Sequence, residues 1–232
     1  MPRKRRPYMA GVPCHIVQRG NNRQACFFGD DDFGFFMNVL TNTLEEFEVD
    51  LHAFVLMTNH VHLLMTPSNA EGISRVMQSV GRRYVRYINT VYGRTGTLWE
   101  GRHKASLIDS DAYLMICHKY IELNPVRAKM VKHPSEYYWS SYQANALGKE
   151  INGLKPHDLY LRLGRNKEER RLAYQGLFEE SVSNEIIEEM RECLCHSYPM
   201  GNDKFRQQIE AAHRIKFGQK KPGRPRANLK SN

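Results

Sequence analysis

Leu51-His52-Ala53-Phe54-Val55-Leu56-Met57-Thr58-Asn59-His60-Val61-His62-Leu63-Leu64-Met65-Thr66 contains two apolar runs rich in strand-forming residues, parted by Asn59 where a tight turn fits. Runs joined so closely predict neighbouring antiparallel strands over residues 51–58 and 60–66. Side chains alternate faces along a strand, so His60 and His62 project from one side while Val61 and Leu63 enter a core. A divalent cation can sit between two imidazoles placed in this way. The spacing alone is a weak signal, and it reads more often as two partly exposed strand histidines than as a metal site.

Outward from this pair, His15-Ile16-Val17-Gln18-Arg19 is a further strand candidate, closed by the turn chemistry of Gly20-Asn21-Asn22-Arg23. Asp30, Asp31 and Asp32 precede Phe36, Leu40, Leu44 and Phe47, a helical spacing with acids at the positive end of the helix. Ile73, Met77, Val80, Tyr84, Ile88 and Val91 mark a helix over residues 71–92, with Arg82, Arg83 and Arg86 on its other sides. After the loop of residues 93–97 come a strand over residues 104–108 and a helix over residues 111–123. Ser110 or Asp111 can cap that helix and Pro125 is expected to stop it. The order strand, helix, strand, strand, helix, strand is the split βαβ, ferredoxin-like arrangement. It predicts an α+β fold whose antiparallel sheet carries helices on one face. Residues 166–191 and 204–214 also read as helical, giving a mostly helical C-terminal extension. Residues 220–226 are expected to be disordered without a partner.

A chain of 232 residues can bury a proper core, and 41% apolar with 25% charged residues is ordinary for a soluble protein. No apolar run approaches the roughly 18 residues of a membrane helix, and the basic N-terminus lacks the apolar stretch of a signal peptide. Five cysteines without a regular framework fit reduced thiols, so a cytoplasmic location and no membrane partner are expected. Cys193-Leu194-Cys195-His196 has no second pair at a finger-like spacing, which argues against structural zinc. The formal charge of +9 sits at the ends: Arg3, Lys4, Arg5 and Arg6 begin the chain, and residues 214–232 hold seven basic side chains and no acid. Such arms suit a polyanion with strongly salt-dependent affinity, or else serve solubility as solvated tails.

Tyr120 and Asn124 lie four apart and share a helix face that can cover the two histidines, although a helix tyrosine is commonly a packing residue. Tyr113, seven residues earlier on nearly the same face, is the rival candidate. Glu122 points elsewhere and reads as a surface or ion-pairing residue. Arg82, Arg83 and Arg86 interleave with Tyr84 and Tyr87, a composition for phosphate contacts and base stacking, or for a tyrosine core stripe beneath a solvated arginine face. Arg19, Asn21 and Arg23 are candidate strand-end DNA contacts. Arg102, beside Trp99 and Gly101, is a candidate for positioning substrate. Arg224 and Arg226 flank Pro225 after Gly223, resembling an AT-hook core except that Pro222 stands where another arginine is usual.

At His60-Val61-His62 and Tyr120-Ile121-Glu122-Leu123-Asn124-Pro125-Val126-Arg127-Ala128 the chain resembles the single-tyrosine HUH transposases of insertion-sequence type. It is most similar to their REP-associated tyrosine transposase branch. The residues 15–23, 96–102 and Trp139-Ser140-Ser141-Tyr142 extend the resemblance over about residues 8 to 145. The resemblance implies that His60, His62 and Asn124 ligate Mg²⁺ or Mn²⁺ and that Tyr120 is the nucleophile. It also implies a substrate of single-stranded or imperfect-palindrome hairpin DNA, cleaved and rejoined through a 5′-phosphotyrosine link. Relatives are monomers or homodimers. The matching domain division is 1–145 for an HUH transposase-like catalytic domain, 146–213 for a helical extension and 214–232 for a basic tail. Alternatives are a domesticated sequence-specific DNA-binding protein with dispensable cleavage, and a metal-dependent phosphoesterase that uses water.

Overall fold

The computed structural model describes residues 6–218. Strands β1 (Cys14–Arg19), β2 (Val49–Met57), β3 (His60–Pro67) and β4 (Lys104–Leu107) pair antiparallel in the order β2-β3-β1-β4. Helix α1 (Asp30–Glu46) joins β1 to β2, and α2 (Gly72–Val91) joins β3 to β4. This is the expected α+β, ferredoxin-like arrangement. Both crossover helices lie on one face, where Ile16, Leu56, Val61, Leu63 and Met65 of the sheet pack against Phe36, Leu40, Ile73 and Tyr84. Asp32, one of the three acids that open α1, is buried. Its carboxylate accepts from the backbone N–H groups of Phe28 (2.7 Å) and Gly29 (3.1 Å) and from the Tyr92 hydroxyl (2.9 Å), tying the start of α1 to the end of α2.

The helix that follows β4 covers the other face of the sheet. After α3 (Ser110–Glu122) come α4 (Asn124–Arg127), α5 (Tyr142–Asn145), α6 (Asp158–Leu161), α7 (Lys167–Gly176), α8 (Asn184–His196) and α9 (Asp203–His213). Leu114, Cys117 and Ile121 of α3, with Ile187, Met190 and Cys193 of α8, pack on Ala53, Val55, Met57 and Leu64. The C-terminal extension therefore shares the core of the sheet. Among the described residues, no helix is long and apolar enough to cross a membrane.

Three local expectations are corrected. Residues 166–191 form two helices, because the chain breaks after Gly176 and α8 restarts behind Ser183, whose hydroxyl accepts from the Ile186 N–H. Pro125 does not stop the helical path. It sits in the first turn of α4, where a missing N–H is tolerated. Glu122 is not on the surface but fully buried, and its carboxyl accepts from Ser141 Oγ (2.5 Å), the Tyr174 hydroxyl (2.8 Å) and Asn145 Nδ2 (2.9 Å). These bonds join α3 to α5 and α7. The basic segment of residues 220–226, with Arg224 and Arg226, lies outside the described residues.

Burial raises the Glu122 carboxyl from 4.5 to about 7 despite the three donors, which act to lower it. The folded state thus binds this proton more tightly than the unfolded chain. The resulting stability is present below the unfolded value and is lost as pH rises through about 7. Glu122→Gln removes the ionisation and keeps a carbonyl acceptor. Its stability relative to the native chain should climb between about pH 5 and pH 8 in urea denaturation; parallel pH profiles for the two chains would refute the assignment.

Candidate active site

Val17 pairs with His62 and Arg19 with His60 across β1 and β3, so His15, Val17 and Arg19 share a sheet face with His60, His62 and Leu64. The His60 and His62 ring centroids are 5.1 Å apart. His60 Nδ1 lies 2.6 Å from Asn59 Oδ1, and the Asn59 amide nitrogen donates to the Arg23 carbonyl at 3.0 Å. Only the amide nitrogen can donate, so Asn59 presents its oxygen to His60. His60 therefore carries its proton on Nδ1 and keeps a lone pair on Nε2. His62 Nδ1 lies 2.9 Å from His15 Nε2, and when it donates this bond its Nε2 keeps a lone pair too. Both rings thus commit one nitrogen to the protein and leave the other for a ligand.

Burial is the main cause that depresses these imidazoles. It lowers His60 to about 4, with help from Arg19 and Arg127, and His15 to about 3, with help from Arg127. His62 falls well below the ordinary value through burial, then through the neighbouring His15 and His60 and the two arginines. All three are neutral at physiological pH, the state in which imidazole donates a lone pair.

Helix α3 carries Tyr120 over this face. The tyrosine is buried, with its ring centroid 5.6 Å from that of His15 and 5.9 Å from that of His62. The Arg127 guanidinium lies 4.0 Å from the Tyr120 ring centroid and donates to the Tyr120 carbonyl at 3.0 Å. Arg127 Nη1 is buried and has no protein partner. Asn124 Nδ2 donates to the carbonyls of Tyr120 (3.0 Å) and Ile121 (3.2 Å). Pro125 has no N–H to give the Ile121 carbonyl, and the Asn124 side chain takes its place. The carboxamide oxygen is thereby turned away from those two carbonyls.

His60, His62, Tyr120 and Asn124 line one cavity of about 400 Å³. Arg19, Arg102, Lys104, Arg127 and Arg191 also line it, with Glu100 as the single acid, so it favours an anion. Of the residues singled out in the sequence, Arg19 and Arg102 join the cavity. Asn21 and Arg23 lie in the turn after β1, outside it. Arg82, Arg83 and Arg86 are exposed on α2, on the far face of the sheet, and Arg82 lines a second groove there. Tyr113 does not line the cavity and faces Glu189 and Arg206 of α8 and α9. His15, Asn59, Arg127 and Arg191 emerge only from the fold. His15 carries a signal in the period of its strand, whereas Arg191 comes from the extension and has none.

Among the described residues, no group of three or more His, Cys, Asp or Glu side chains is placed to hold a metal ion. Two neutral imidazoles and an amide oxygen form a smaller, mixed donor set. It fits a divalent cation that completes its shell with water or phosphate oxygens.

The family described as "Transposase IS200 like" matches residues 9–124. No curated protein matches the chain. A solved REP-associated tyrosine transposase bound to a REP hairpin has a similar fold, at TM-score 0.54 and 16% identity over 68% of this chain and 99% of that one. A transposase candidate from Deinococcus radiodurans R1 aligns at TM-score 0.37 and 20% identity over 52% of this chain and 96% of that one.

The buried imidazoles yield a direct expectation. In ¹⁵N-detected NMR, His15 and His60 should stay neutral from about pH 8 down to about pH 5, because their folded values lie near 3 and 4. A midpoint near 6.5 at either ring would contradict the closed geometry.

Proposed function

Since this chain belongs to the IS200-like transposase family, we propose that it is a metal-dependent DNA endonuclease and strand transferase. It cuts and rejoins single-stranded or hairpin DNA with Tyr120 as nucleophile. The observation that carries this reading is Tyr120 lying over the His60–His62 pair, 5.9 Å from His62 between ring centroids, within a basic cavity. The fold neighbour bound to a hairpin supports DNA as the substrate.

His60, His62 and Asn124 would hold Mg²⁺ or Mn²⁺, which when bound offsets charge on the non-bridging phosphate oxygens. Arg127 offers its unpartnered Nη1 to the same phosphate. A free tyrosine is only about 0.1% ionised at pH 7, a handicap of roughly 4 kcal/mol, and Arg127 and Arg191 supply positive charge beside Tyr120. The phenol loses its proton to solvent as its oxygen attacks phosphorus. The bond to the 3′ oxygen breaks, that oxygen gains a proton, and a 5′-phosphotyrosine remains. Attack by another 3′-hydroxyl reverses the step and needs no external energy.

In this reading residues 1–145 form the catalytic domain, residues 146–213 support it and contribute Arg191, and residues 214–232 form a basic arm that includes Arg224 and Arg226. Arg19 and Arg102 would contact DNA at the cavity, and Asn21, Arg23, Arg82, Arg83 and Arg86 would contact it outside. The basic residues outside the cavity would also serve a protein that binds DNA and no longer cuts it.

Incubation with labelled hairpin DNA and Mn²⁺ should give a denaturant-resistant adduct that disappears in Tyr120→Phe and persists in Tyr113→Phe. Cleavage surviving in Tyr120→Phe would instead point to water as nucleophile, and binding without any cleavage to the non-cutting alternative. His15→Leu removes the partner of His62 Nδ1 and should weaken Mn²⁺ binding about 10- to 100-fold by EPR titration; equal affinity would show that His15 does not position the ligand. Deleting residues 214–232 should weaken DNA binding and flatten its salt dependence while sparing adduct formation; an unchanged salt slope would count against the arm.

A further inference from the structure

A groove of about 770 Å³ lies on the face of the sheet opposite the histidines, where Met77 and Val80 of α2 form an apolar floor. Arg102 lines both this groove and the cavity that holds Tyr120. The two spaces are thus the two sides of one loop, residues 99–102, at the end of β1.

Trp99 is 8% exposed and stacks on Tyr84, with centroids 5.8 Å apart and planes at 28°. The Trp99 Nε1–H is shielded from water and meets no acceptor. An indole nitrogen only donates, so a buried one without a partner is costly unless something supplies an oxygen or a ring nitrogen. Across from it, α2 carries Gly81, where an added Cβ would come no closer than 3.9 Å to Nε1. His213 Nε2 of α9 is a second buried polar atom without a partner in the same lining. Gln18 and Gln78 bring amides, and Arg82 brings a guanidinium to the same lining. Apolar floor, donors on the wall and cations nearby together match a nucleotide: a flat base, polar base edges and a phosphate.

We propose that this groove binds an unpaired nucleotide of the same DNA strand whose scissile phosphate enters the Tyr120 cavity, with the strand passing round residues 99–102 at Arg102. The base lies on Met77 and Val80, and its edge accepts from Trp99. This deepens the reading of the chain as a DNA-cutting enzyme, but its test requires no cutting.

The test uses the full chain without divalent ions and a random-sequence single-stranded DNA of about eight nucleotides, within the span of known single-strand sites. In Trp139→Phe, Trp99 is the one remaining tryptophan, and its emission should change saturably with added DNA. Trp99→Phe, which keeps an aromatic ring and loses the N–H, should weaken binding about fivefold by anisotropy. Gly81→Met should plug the groove and weaken binding about tenfold or more, with thermal unfolding checked separately because methionine favours helix over glycine. Saturation of the chain by DNA with no change in Trp99 emission would overturn the proposal, whatever the variants do. A folded Gly81→Met that binds like the native chain would overturn it too. Groove binding without a Tyr120 adduct would leave this inference standing and sink the proposed chemistry; an adduct without groove binding would do the reverse.

Discussion

The antiparallel register of β1 against β3 is the constraint on which the rest depends. With Val17 opposite His62, the face that holds the histidines also holds His15 and Arg19, and the other face holds Val61, Leu63 and Met65. A slip of one residue would drive both imidazoles into the core beneath α1 and α2 and leave branched aliphatics under Tyr120. Packing on both faces prevents this. Leu63 and Leu64, adjacent in sequence, are both fully buried, one in each layer. The same packing that sets the register dries the imidazoles and holds them neutral, so the ligand-ready state is a product of the core.

Placement of the tyrosine depends on a second layer contributed from far along the chain. Glu122, two residues after Tyr120, bonds to side chains of Ser141, Asn145 and Tyr174, and α8 packs beside α3 on the same sheet face. Removing a partner from a buried carboxyl is expensive, because the group loses donors and cannot regain water. The segment that follows α3 thereby helps to fix the position of α3 over the sheet.

The sheet, the two crossover helices and the pairing of His60 with His62 were legible because each rests on a local period, two for strands and 3.6 for helices. What was not legible depends on partners distant in sequence. His15 meets His62 across 47 positions, and Glu122 meets Tyr174 across 52. By local pattern Glu122 is a charged residue on a helix surface, and only the arrival of α5 and α7 makes its site interior. The break between α7 and α8 was hidden for a related reason: the stretch is rich in helix formers, and its interruption is signalled by little more than the cap at Ser183.

Pro125 links the proposed ion ligand Asn124 to the helix backbone, because the Asn124 amide serves the carbonyl that the proline cannot. An aspartate at position 124 would offer a harder, charged oxygen, but it has no hydrogen for the Ile121 carbonyl that Pro125 cannot serve. If Asn124 ligates an ion as proposed, an exchange of amide for carboxylate would therefore trade a gain in ion affinity against an unpaired Ile121 carbonyl next to Tyr120. Such a swap would have to be accompanied by a replacement for the proline, so under the proposed ligation the donor at position 124 is hard to change alone.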